Sequence, residues 1–462
     1  MDKRRVTAVF DIGRTNKKFF LFDEEYQEVH REYVRFPETT DEDGYPTEDL
    51  PALQAWLRDV FDRILEAREF DVHAINFSSY GASFVHLDPD GEVVGPLYNY
   101  TKPYDPELTA QFYDRYGPEA EFTARTGSST SGMLNSGMQL YWLKHRRPET
   151  FARIKYSLHL PQFLSYVFTG IPISEYTSIG CHTALWDYAK GDYHEWVYAE
   201  HLHRILPPIV STETSINMNY NGRRIKIGVG IHDSSAALLP YIRSERNPFL
   251  LLSTGTWSVS LNPFGSGQLT PDDMRRNCIN YMRIDGKPVK AARLFLGEEY
   301  KRQVEALARH FGVEESRHRN VAFDFAAYTD IMATFRPWFH LQEIDYPGNP
   351  IATEIHTDSY EYAYHHLLVE LVDLQARSIE TAVGNTNVRT LFIDGGFSDN
   401  KVFLELISHR FRELELHTTD SSLGSALGAA ICISDKGLNS KFLKRNYGLK
   451  KHQPFIIKEA DA

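Results

Sequence analysis

Apolar strand patterns and one helical stripe alternate through the first part of the chain. The run Val6–Phe10 is apolar and β-branched, and after a polar turn the segment 17–23 repeats that composition, which predicts a pair of strands. Asp49–Pro51 supplies an acidic cap and an early proline, and apolar positions recur every three or four residues over Leu53–Leu65, which predicts an amphipathic helix. Val72–Phe77 then predicts a buried strand, so this part is expected to be mixed α/β.

Strand–turn–strand patterns occur at two further places. Ser83–Leu87 and Glu92–Leu97 flank the turn Asp88–Gly91, which predicts a hairpin because glycine accepts a positive φ. Phe249–Leu261 contains a glycine turn of the same kind as the one that follows Val6–Phe10. One such hairpin opening each half, with no shorter sequence repeat, predicts two α/β lobes rather than a solenoid.

The boundary between these lobes is expected in a polar stretch. Tyr241–Pro248 contains two arginines, a glutamate and an asparagine, and it ends in proline. We therefore predict lobes over residues 1–244 and 245–462.

The second half has its own helix and strand signals. A long helical stripe covers Tyr364–Ile379 and ends at Gly384. The short strand Thr390–Ile393 runs into a glycine turn and a helix cap at 394–400, a geometry that can hold phosphate at a helix N-terminus. Segment 424–430 predicts a helix whose small residues permit close backbone approach.

The composition excludes several classes of function. The chain has 462 residues, 42% hydrophobic and 24% charged, with a net charge of -12 and a pI near 5.9. No global basic field therefore favours nucleic acid or anionic lipid. Three cysteines that lie far apart exclude a disulfide framework and a structural zinc site. With no apolar stretch of membrane-spanning length and no signal-peptide core, a cytoplasmic protein without a membrane partner is expected.

Two groups of histidines are interpreted as structural. His194-Glu195 and the pair His201 and His203 lack a third metal ligand at useful spacing, so packing is the favoured interpretation. His365 and its neighbour lie on the long predicted helix and are expected to be structural as well.

Three glycine turns and one aspartate carry the candidate chemistry. In segment 11–18 (DIGRTNKK) backbone N–H groups can bind phosphate while the acid holds a hydrated cation. Segments 253–256 and 394–400 supply two further turns. Asp233 follows a short strand, where it can either accept a proton from an attacking hydroxyl or simply cap the next helix. No GxGxxG or GxxxxGK[ST] occurs, so a Rossmann or Walker site is unsupported.

The order of these motifs resembles the FGGY carbohydrate kinases of the actin-like ATPase superfamily. DIGRTNKK at 11–18 looks like the family's first phosphate loop, GIHDSSAA at 230–237 like its catalytic segment, and LSTGTWS at 252–258 like its second phosphate loop. DGGFSDN at 394–400, followed by 424–430, is similar to its adenosine-binding region. The resemblance implies two actin-like (ribonuclease H-like) lobes around a central cleft, with ATP and Mg²⁺ as cofactors. It also implies a small sugar as the partner, no nucleic acid, and a monomer or homodimer.

The resemblance further implies roles for single residues. Asp233 matches the general base, and Asp11 matches the acid that orients Mg²⁺ through water. The expected nucleotide contacts are Asp11, Gly13, Thr15, Asn16, Lys18, Thr254, Gly255, Thr256, Gly395, Gly396 and Asn400. The expected sugar contacts are Gly81, Ser83, Tyr98, Lys102, His232 and Asp233.

Two details refine the expectation. Arg14 replaces a residue that is small or hydroxylated in the family, and it either adds charge to the phosphate site or points to solvent. The His-Asp pair at 232–233 and the Gly-Thr-Trp triplet at 255–257 look most like kinases of the deoxyketoses L-rhamnulose and L-fuculose. The sequence therefore predicts an ATP-dependent kinase of a primary hydroxyl on a ketose or deoxyketose. Its alternatives are a xylulose or polyol kinase, a phosphatase or polyphosphatase, and a non-catalytic sensing or scaffold relative.

Overall fold

The computed structural model describes residues 3–420, 423–439 and 441–454, and the first half of the chain contains fifteen of its strands. These strands are β1 (Arg4–Ile12), β2 (Lys17–Asp23), β3 (Glu28–Val34), β4 (Thr39–Thr40), β5 (Pro46–Thr47), β6 (Phe70–Ser79), β7 (Phe84–Leu87), β8 (Tyr156–His159), β9 (Ser174–Glu175), β10 (Trp186–Asp187), β11 (Asp192–Tyr193), β12 (Ile209–Val210), β13 (Ser215–Tyr220), β14 (Arg223–Gly228) and β15 (Ile231–His232). The helices of this half are α1 (Leu50–Glu66), α2 (Pro106–Tyr116), α3 (Glu119–Thr126), α4 (Ser136–Arg146), α5 (Pro148–Ala152), α6 (Leu160–Thr169), α7 (Tyr176–Ile179), α8 (Glu195–Ala199) and α9 (Asp233–Ser244).

The second half has fewer strands and longer helices. Its strands are β16 (Phe249–Thr254), β17 (Ser258–Asn262), β18 (Cys278–Met282), β19 (Pro288–Leu294), β20 (Thr390–Gly395), β21 (Glu415–Thr418) and β22 (Lys450–Lys451). Its helices are α10 (Pro271–Arg275), α11 (Leu296–Phe311), α12 (Phe325–Ala333), α13 (Tyr360–Val383), α14 (Lys401–Arg410), α15 (Gly424–Cys432) and α16 (Phe442–Asn446). Short 3₁₀ helices cover Gly132–Leu134, Leu202–Arg204 and Glu315–Asn320.

Each half contains a mixed seven-stranded sheet built around the same hairpin. The first sheet has the order β13-β14-β6-β1-β2-β3, with β15 also paired to β6, and the second has the order β18-β19-β17-β16-β20-β21-β22. Strand β1 pairs antiparallel with β2 and parallel with β6, and β16 pairs in the same two ways with β17 and β20. The predicted recurrence of a glycine-turn hairpin is confirmed, and it forms the centre of both sheets.

Local sequence signals account for where several elements begin and end. Asp49 accepts a hydrogen bond from the Ala52 N–H at 2.9 Å and caps α1. Asn400 accepts one from the Phe403 N–H at 3.0 Å and caps α14. Gly384 ends α13, and its N–H donates to a carbonyl of the last turn. The helices predicted at these caps are confirmed.

The predicted hairpin around Asp88–Gly91 forms only in part. The turn closes, with the Gly91 N–H donating to the Asp88 carbonyl at 3.1 Å. The strand predicted over Glu92–Leu97 is wrong, since those described residues carry no strand beyond one isolated bridge. Gly95 has a φ of 72° and Pro96 has no N–H to donate, so the extended backbone ends there, while β7 pairs with β8 along its other edge.

Apolar cores cover both sheets and continue between them. Helices α1 and α6 cover one face of the first sheet, and α11, α13 and α14 cover one face of the second. A third core lies between the sheets, where Val9 and Phe20 of the first share a cluster with Leu251 and Phe392 of the second. The two halves are therefore joined through buried apolar surface at their base.

Helices α9 and α15 form the connection between the halves. Helix α15 belongs to the second half but packs against α9, β1 and β6. Asn76 Nδ2 of β6 donates to the Ala429 carbonyl at 2.8 Å. A Cβ atom at Gly428 would lie 1.8 Å from the Ala236 carbonyl oxygen, so only glycine permits this approach. The close backbone approach predicted for 424–430 is confirmed.

Among the described residues, none of the helices is both long and apolar enough to cross a membrane.

Candidate functional site

The candidate site lies at the carboxyl end of the first sheet, facing the second half. Asp11 on β1 is the register partner of Ser78 on β6, and His232 on β15 is the partner of Ser79 on the other edge of β6. Asp233 follows His232 directly. Asp11 and Asp233, which the sequence nominated from segments more than two hundred residues apart, therefore flank the end of one strand.

Asp233 has the environment of a proton acceptor. It is the first residue of α9, whose cap is His232, so the alternative of a helix-capping aspartate does not describe it. Its Oδ1 accepts hydrogen bonds from the Ser234 N–H at 2.6 Å and the Ser234 hydroxyl at 3.2 Å. Although 35% of the side chain is exposed in the cleft, the surrounding protein disfavours its charge and raises the pKa of Asp233 to about 6. A carboxylate with that pKa is mostly ionised at neutral pH and is a better base than an ordinary aspartate.

His232 lies against this carboxylate as a neutral ring. Its Nε2 is 3.1 Å from Asp233 Oδ1 and 3.2 Å from Cys181 Sγ. Burial lowers the pKa of His232 to about 3, so the contact with Asp233 is not an ion pair. The histidine orients the site without neutralising the base.

Asp11 is the second carboxylate of the site. Burial, followed by the negative charge of Asp233, raises the pKa of Asp11 to about 6, while Lys18 and the Ser425 hydroxyl oppose the shift. Lys18 lies directly opposite Asp11 across β1 and β2, and Ser425 of α15 donates to Asp11 Oδ1 at 3.0 Å. Two nearby carboxylates that repel each other form a donor set suited to a hydrated divalent cation. The residues present therefore fit the Mg²⁺ expected from sequence.

The first glycine turn is compact and supported from below. The Gly13 N–H donates to the Asn16 carbonyl at 3.0 Å, and Thr15 is exposed at the tip. Lys17, which the sequence did not single out, is buried, and its Nζ donates to the Gly13 carbonyl at 3.2 Å and to Glu48 at 2.8 Å. The turn that should contact phosphate is thus held by a buried ammonium group.

Arg14 turns away from the two carboxylates. Its guanidinium donates to Asn99 and, at 3.1 Å, to Glu38, and it lies 5.1 Å from the centre of the Tyr100 ring. The structure adds a role to the two alternatives left open by the sequence, because the side chain, which is 30% exposed, is hydrogen-bonded to protein. It anchors the first turn to the segment around Asn99.

Thr254 joins the second and third glycine turns. Its hydroxyl donates to the Asp394 carbonyl and accepts from the Phe397 N–H at 3.0 Å, while its carbonyl accepts from the Gly396 N–H at 2.7 Å. Gly395 has a φ of 81°, and a Cβ there would lie 1.9 Å from the Thr254 carbonyl oxygen. The Thr254 hydroxyl therefore supports the turns, and Gly395 and Gly396 are exposed although the Gly396 N–H is already used in this support.

The other predicted nucleotide contacts divide into exposed and occupied groups. Gly255 and Thr256 are exposed at the tip between β16 and β17, next to the exposed Trp257. Asn400 is already used, since its Oδ1 caps α14 and its Nδ2 donates to the Tyr364 hydroxyl at 2.9 Å. If Asn400 contacts adenosine, as expected from the sequence, the same side chain also has to cap α14.

Gly81 and His232, two predicted sugar contacts, come together beside Asp233. A Cβ at Gly81 would lie 2.9 Å from Cys181 Sγ and 3.1 Å from His232 Cδ2. Ser83 is buried two residues further on and lines a separate small cavity next to Arg14. Glycine at position 81 thus permits the close approach of Cys181 and His232 to the backbone.

Tyr98 and Lys102 are not brought into this cluster. Lys102 Nζ donates to Asp41 at 2.6 Å and to Asp43 at 2.7 Å, and it lies 5.4 Å from the centre of the Tyr98 ring. The Tyr98 hydroxyl donates to Glu42, and both Tyr98 and Lys102 are buried. Their donors are occupied by a buried ion cluster, so the structure gives no support to the expected sugar contacts of these two residues.

The cleft contains a cavity of about 270 Å³ that both halves line. Its lining includes Asp233, Ser253, Val259, Tyr281, Asp394 and Ser425. Sequence reasoning missed Tyr281, Ser425 and the neighbouring Cys181, because each is a single residue of an ordinary strand, helix or loop. Only Ser425 carried a signal, since it lies in the small-residue segment 424–430.

Glu175 fixes the backbone that leads to the base. Its carboxylate accepts hydrogen bonds from the Ser178 N–H at 2.6 Å, the Thr177 hydroxyl at 2.9 Å and the Thr212 hydroxyl at 2.6 Å. The Thr177 hydroxyl in turn accepts from the His232 N–H at 3.0 Å. Burial raises the pKa of Glu175, and these hydrogen bonds oppose the shift.

A second acidic cluster lies away from the cleft. Asp187, His194 and Glu195 bring ligand atoms within 4.8 Å of one another, so the structure supplies a third group that the sequence did not identify. Arg125 donates to Asp187 at 3.0 Å and to Glu195 at 2.9 Å, and Lys190 donates to Glu195 at 2.6 Å. Because these cations already neutralise the carboxylates, the cluster supports the packing interpretation of His194.

Two α/β lobes with the same central hairpin, joined by crossing helices and facing one cleft, define the actin-like ATPase class of fold. Sequence models narrow the class. The model of the FGGY family of carbohydrate kinases, N-terminal domain, matches residues 6–237, and that of the carbohydrate kinase FGGY, C-terminal domain, matches residues 246–441. The chain belongs to the FGGY family of carbohydrate kinases.

Known relatives are similar over part of their length. A rhamnulokinase of Mannheimia succiniciproducens is 27% identical over 270 residues, which cover 56% of this chain and 52% of the relative. A rhamnulokinase of Yersinia pestis (strain Pestoides F) is 26% identical over 263 residues, covering 54% of this chain and 53% of the relative. The matches thus span about half the length of these curated relatives.

Solved structures are similar over almost the whole chain. A carbohydrate kinase from Novosphingobium aromaticivorans has a TM-score of 0.82 at 23% identity and covers 98% of this chain and 95% of its own. A xylulose kinase from Rhodospirillum rubrum has a TM-score of 0.79 at 16% identity, with 98% and 94% covered. A Plasmodium falciparum glycerol kinase with ADP has a TM-score of 0.69 at 16% identity, with 93% and 89% covered. At these identities the likeness establishes the fold.

Proposed function

We propose that the chain is an ATP- and Mg²⁺-dependent kinase that phosphorylates a primary hydroxyl of a ketose, preferentially a deoxyketose of the L-rhamnulose or L-fuculose type. The observation that carries the proposal is the pairing of Asp233 and Asp11 on either side of β6 at the cleft. We also propose residues 1–244 as the sugar-binding lobe and 245–462 as the nucleotide-binding lobe.

Asp233 acts as the base in this proposal. Its raised pKa and its partial exposure to the cleft suit a group that takes the proton from the attacking hydroxyl. In this proposal the acceptor sugar is bound beside Asp233, next to the ring of His232, which Gly81 allows to pack closely. Glu175 binds the Thr177 hydroxyl, which accepts from the His232 N–H, and so holds the backbone next to Asp233 in place.

The phosphate groups of the nucleotide are held by backbone rather than by a Walker motif. In this proposal the turn at Gly13 and the exposed turns at Gly255 and Gly395 bring backbone from both lobes to the phosphates, and Lys18 supplies a positive charge beside Asp11. Mg²⁺ held through water by Asp11 would neutralise charge on the transferred phosphoryl group. Closure of the lobes would exclude water from the cleft, where it could otherwise attack ATP in place of the sugar.

The deoxyketose preference rests on two supports. The curated relatives are named rhamnulokinase, and the chain carries the His-Asp pair and the Gly-Thr-Trp triplet at the cleft. A site with donors and acceptors set for several hydroxyls rejects an analogue that lacks them, at about 1–3 kcal/mol per unpaired group. Glycerol leaves several such groups unpaired.

A substrate panel with coupled ADP detection tests the proposal. Purified protein with ATP and Mg²⁺ is given L-rhamnulose, L-fuculose, D-xylulose and glycerol, and kcat/KM is compared. We expect a deoxyketose to exceed glycerol by at least about 100-fold, as two unpaired hydroxyl partners imply. A preference for glycerol overturns the proposed substrate but is still consistent with a kinase.

Two further readouts separate the rival functions. Phosphate release from ATP without sugar, at a rate that sugar does not change, favours the phosphatase. Nucleotide binding without turnover of any acceptor favours the non-catalytic relative. The Asp233→Asn variant is the matched control, because a contaminating kinase would be unaffected by it.

A further inference from the structure

One row of residues crosses the cleft-facing side of the second sheet. Asp394 of β20 is the register partner of Ser253 on β16. Ser253 is in turn the partner of Val259 on β17, and Val259 is the partner of Arg293 on β19. Register partners on neighbouring strands share one face of a sheet. Since Asp394, Ser253 and Val259 line the cleft cavity, Arg293 lies on the cleft side as well.

The charge of Arg293 reaches the acceptor side of the first half. Burial, followed by the positive charge of Arg293, lowers the pKa of His182 to about 3. The same charge opposes the rise that burial causes in the pKa of Cys181. Cys181 is the residue that contacts His232 and faces Gly81. This electrostatic interaction supports the placement of Arg293 on the side of the cleft where Cys181 and His182 lie.

Arg293 still has donor capacity at this position. Within the described residues it forms no ion pair, and its buried Nε has no hydrogen-bond partner. One Nη donates to Asn277 Oδ1 at 2.7 Å, and the guanidinium lies 5.7 Å from the centre of the Trp257 ring. A buried donor without a partner is unfavourable, so a bound oxygen atom that gives it a partner would be favoured there.

The phosphoryl side of the cleft has a different cation. Lys18 lies opposite Asp11 across β1 and β2. Arg293 acts instead on His182 and Cys181. The two cations are thus divided between the two reactants, with Lys18 on the nucleotide side and Arg293 on the acceptor side.

We propose that Arg293 is a specificity-determining residue that binds two adjacent oxygen atoms of the acceptor, at the end remote from the hydroxyl that is phosphorylated. The inference rests on the proposed function. The planar guanidinium matches a pair of oxygens bidentately, which a lysine at the same position cannot do. The pair is either two vicinal hydroxyls of a neutral sugar or the carboxylate of a sugar acid, and the experiment distinguishes them.

The test compares Arg293→Gln and Arg293→Lys with the wild type. Steady-state kcat and both KM values are measured with the best ketose of the panel and with an aldonate of the same chain length. We expect Arg293→Gln to raise the acceptor KM about 10- to 100-fold while the KM for ATP stays within about twofold. Arg293→Lys should restore only part of the loss.

The control is Arg276→Gln. Arg276 is an arginine of the same half whose side chain is 49% exposed and paired with Asp272, and its substitution should leave both KM values unchanged. Melting curves of all variants establish that they fold, and if Arg293→Gln does not, Arg293→Lys is read by the same criterion. Calorimetric binding of the acceptor without ATP measures the contact independently of turnover, so it tests Arg293 even if the proposed kinase reaction fails.

Each outcome decides the matter. A KM or Kd increase for the ketose assigns the oxygen pair to vicinal hydroxyls, and an increase confined to the aldonate assigns it to a carboxylate. An unchanged acceptor affinity, or an effect confined to ATP, overturns the proposal.

Discussion

Replacing Asp233 with asparagine should inactivate the protein and stabilise its fold at the same time. Asparagine keeps the size of the side chain and its acceptor for the Ser234 N–H, but it cannot take a proton. Loss of a general base lowers kcat by about 10²–10⁴-fold. Binding of ATP should not change, because Asp233 is proposed to act on the acceptor.

The gain in stability follows from the pKa of Asp233. Folding raises this pKa from 3.8 to about 6, so at pH 8 the folded chain holds a carboxylate whose ionised form is disfavoured. A shift of about two pKa units corresponds to at most about 3 kcal/mol. Since the side chain is 35% exposed, solvent screening reduces this figure, and we expect the variant to gain about 1 kcal/mol. The gain should disappear as the pH falls through 6 toward 3.8, where wild-type Asp233 is protonated as well.

Two assays on the same preparations test this. Coupled ADP detection measures kcat, and denaturant unfolding at pH 8 and pH 4.5 measures the free energy of unfolding. Asp435→Asn is the control, because the Asp435 side chain is 97% exposed and its substitution should change stability by less than about 0.5 kcal/mol. Wild-type turnover in Asp233→Asn, or a loss of stability at pH 8, would refute the reasoning.

Three further predictions concern other parts of the cleft and the connection between the halves. Asp11→Ala should raise the Mg²⁺ concentration needed for half-maximal turnover by about tenfold or more and leave sugar affinity unchanged, and an unaltered Mg²⁺ titration would contradict it. Gly81→Ala should raise the sugar KM by about 10- to 100-fold, since its methyl group would displace Cys181 and His232 beside Asp233, and the prediction fails if only the KM for ATP changes. Gly428→Ala should destabilise the protein by at least about 2 kcal/mol because its Cβ would overlap the Ala236 carbonyl, which a melting temperature equal to that of wild type would disprove.

The sequence predicted the elements whose signals are local. The hairpins at β1–β2 and β16–β17, the cap at Asn400 and the stop at Gly384 all depend on residues within a few positions of each other. Their recurrence in the two halves was enough to predict two lobes of one fold class. The strand predicted over Glu92–Leu97 did not form because the positive φ of Gly95 and the missing N–H of Pro96 end the pairing with β7 after Val94.

The candidate site shows the same difference between residues with a local sequence signal and residues whose position depends on distant parts of the chain. Asp11 and Asp233 could be predicted because each lies in a short motif next to the end of a strand. The order of these motifs along the chain also resembles that of a known family. Lys102 carries the same kind of local signal, but its ammonium is taken by Asp41 and Asp43. Arg293 had no motif at all, since its position on the cleft side depends on the register of four strands.

The close packing of α9 and α15 makes the connection between the lobes part of the proposed reaction centre. Asp233 begins α9, and Ser425 of α15 holds Asp11, so both carboxylates touch the helix pair about which the halves would pivot. A rotation large enough to admit or release a sugar would therefore also change the spacing of the two acids. In an open molecule the base and the metal-side acid would be out of alignment, which would spare ATP from wasteful hydrolysis until an acceptor draws the lobes together.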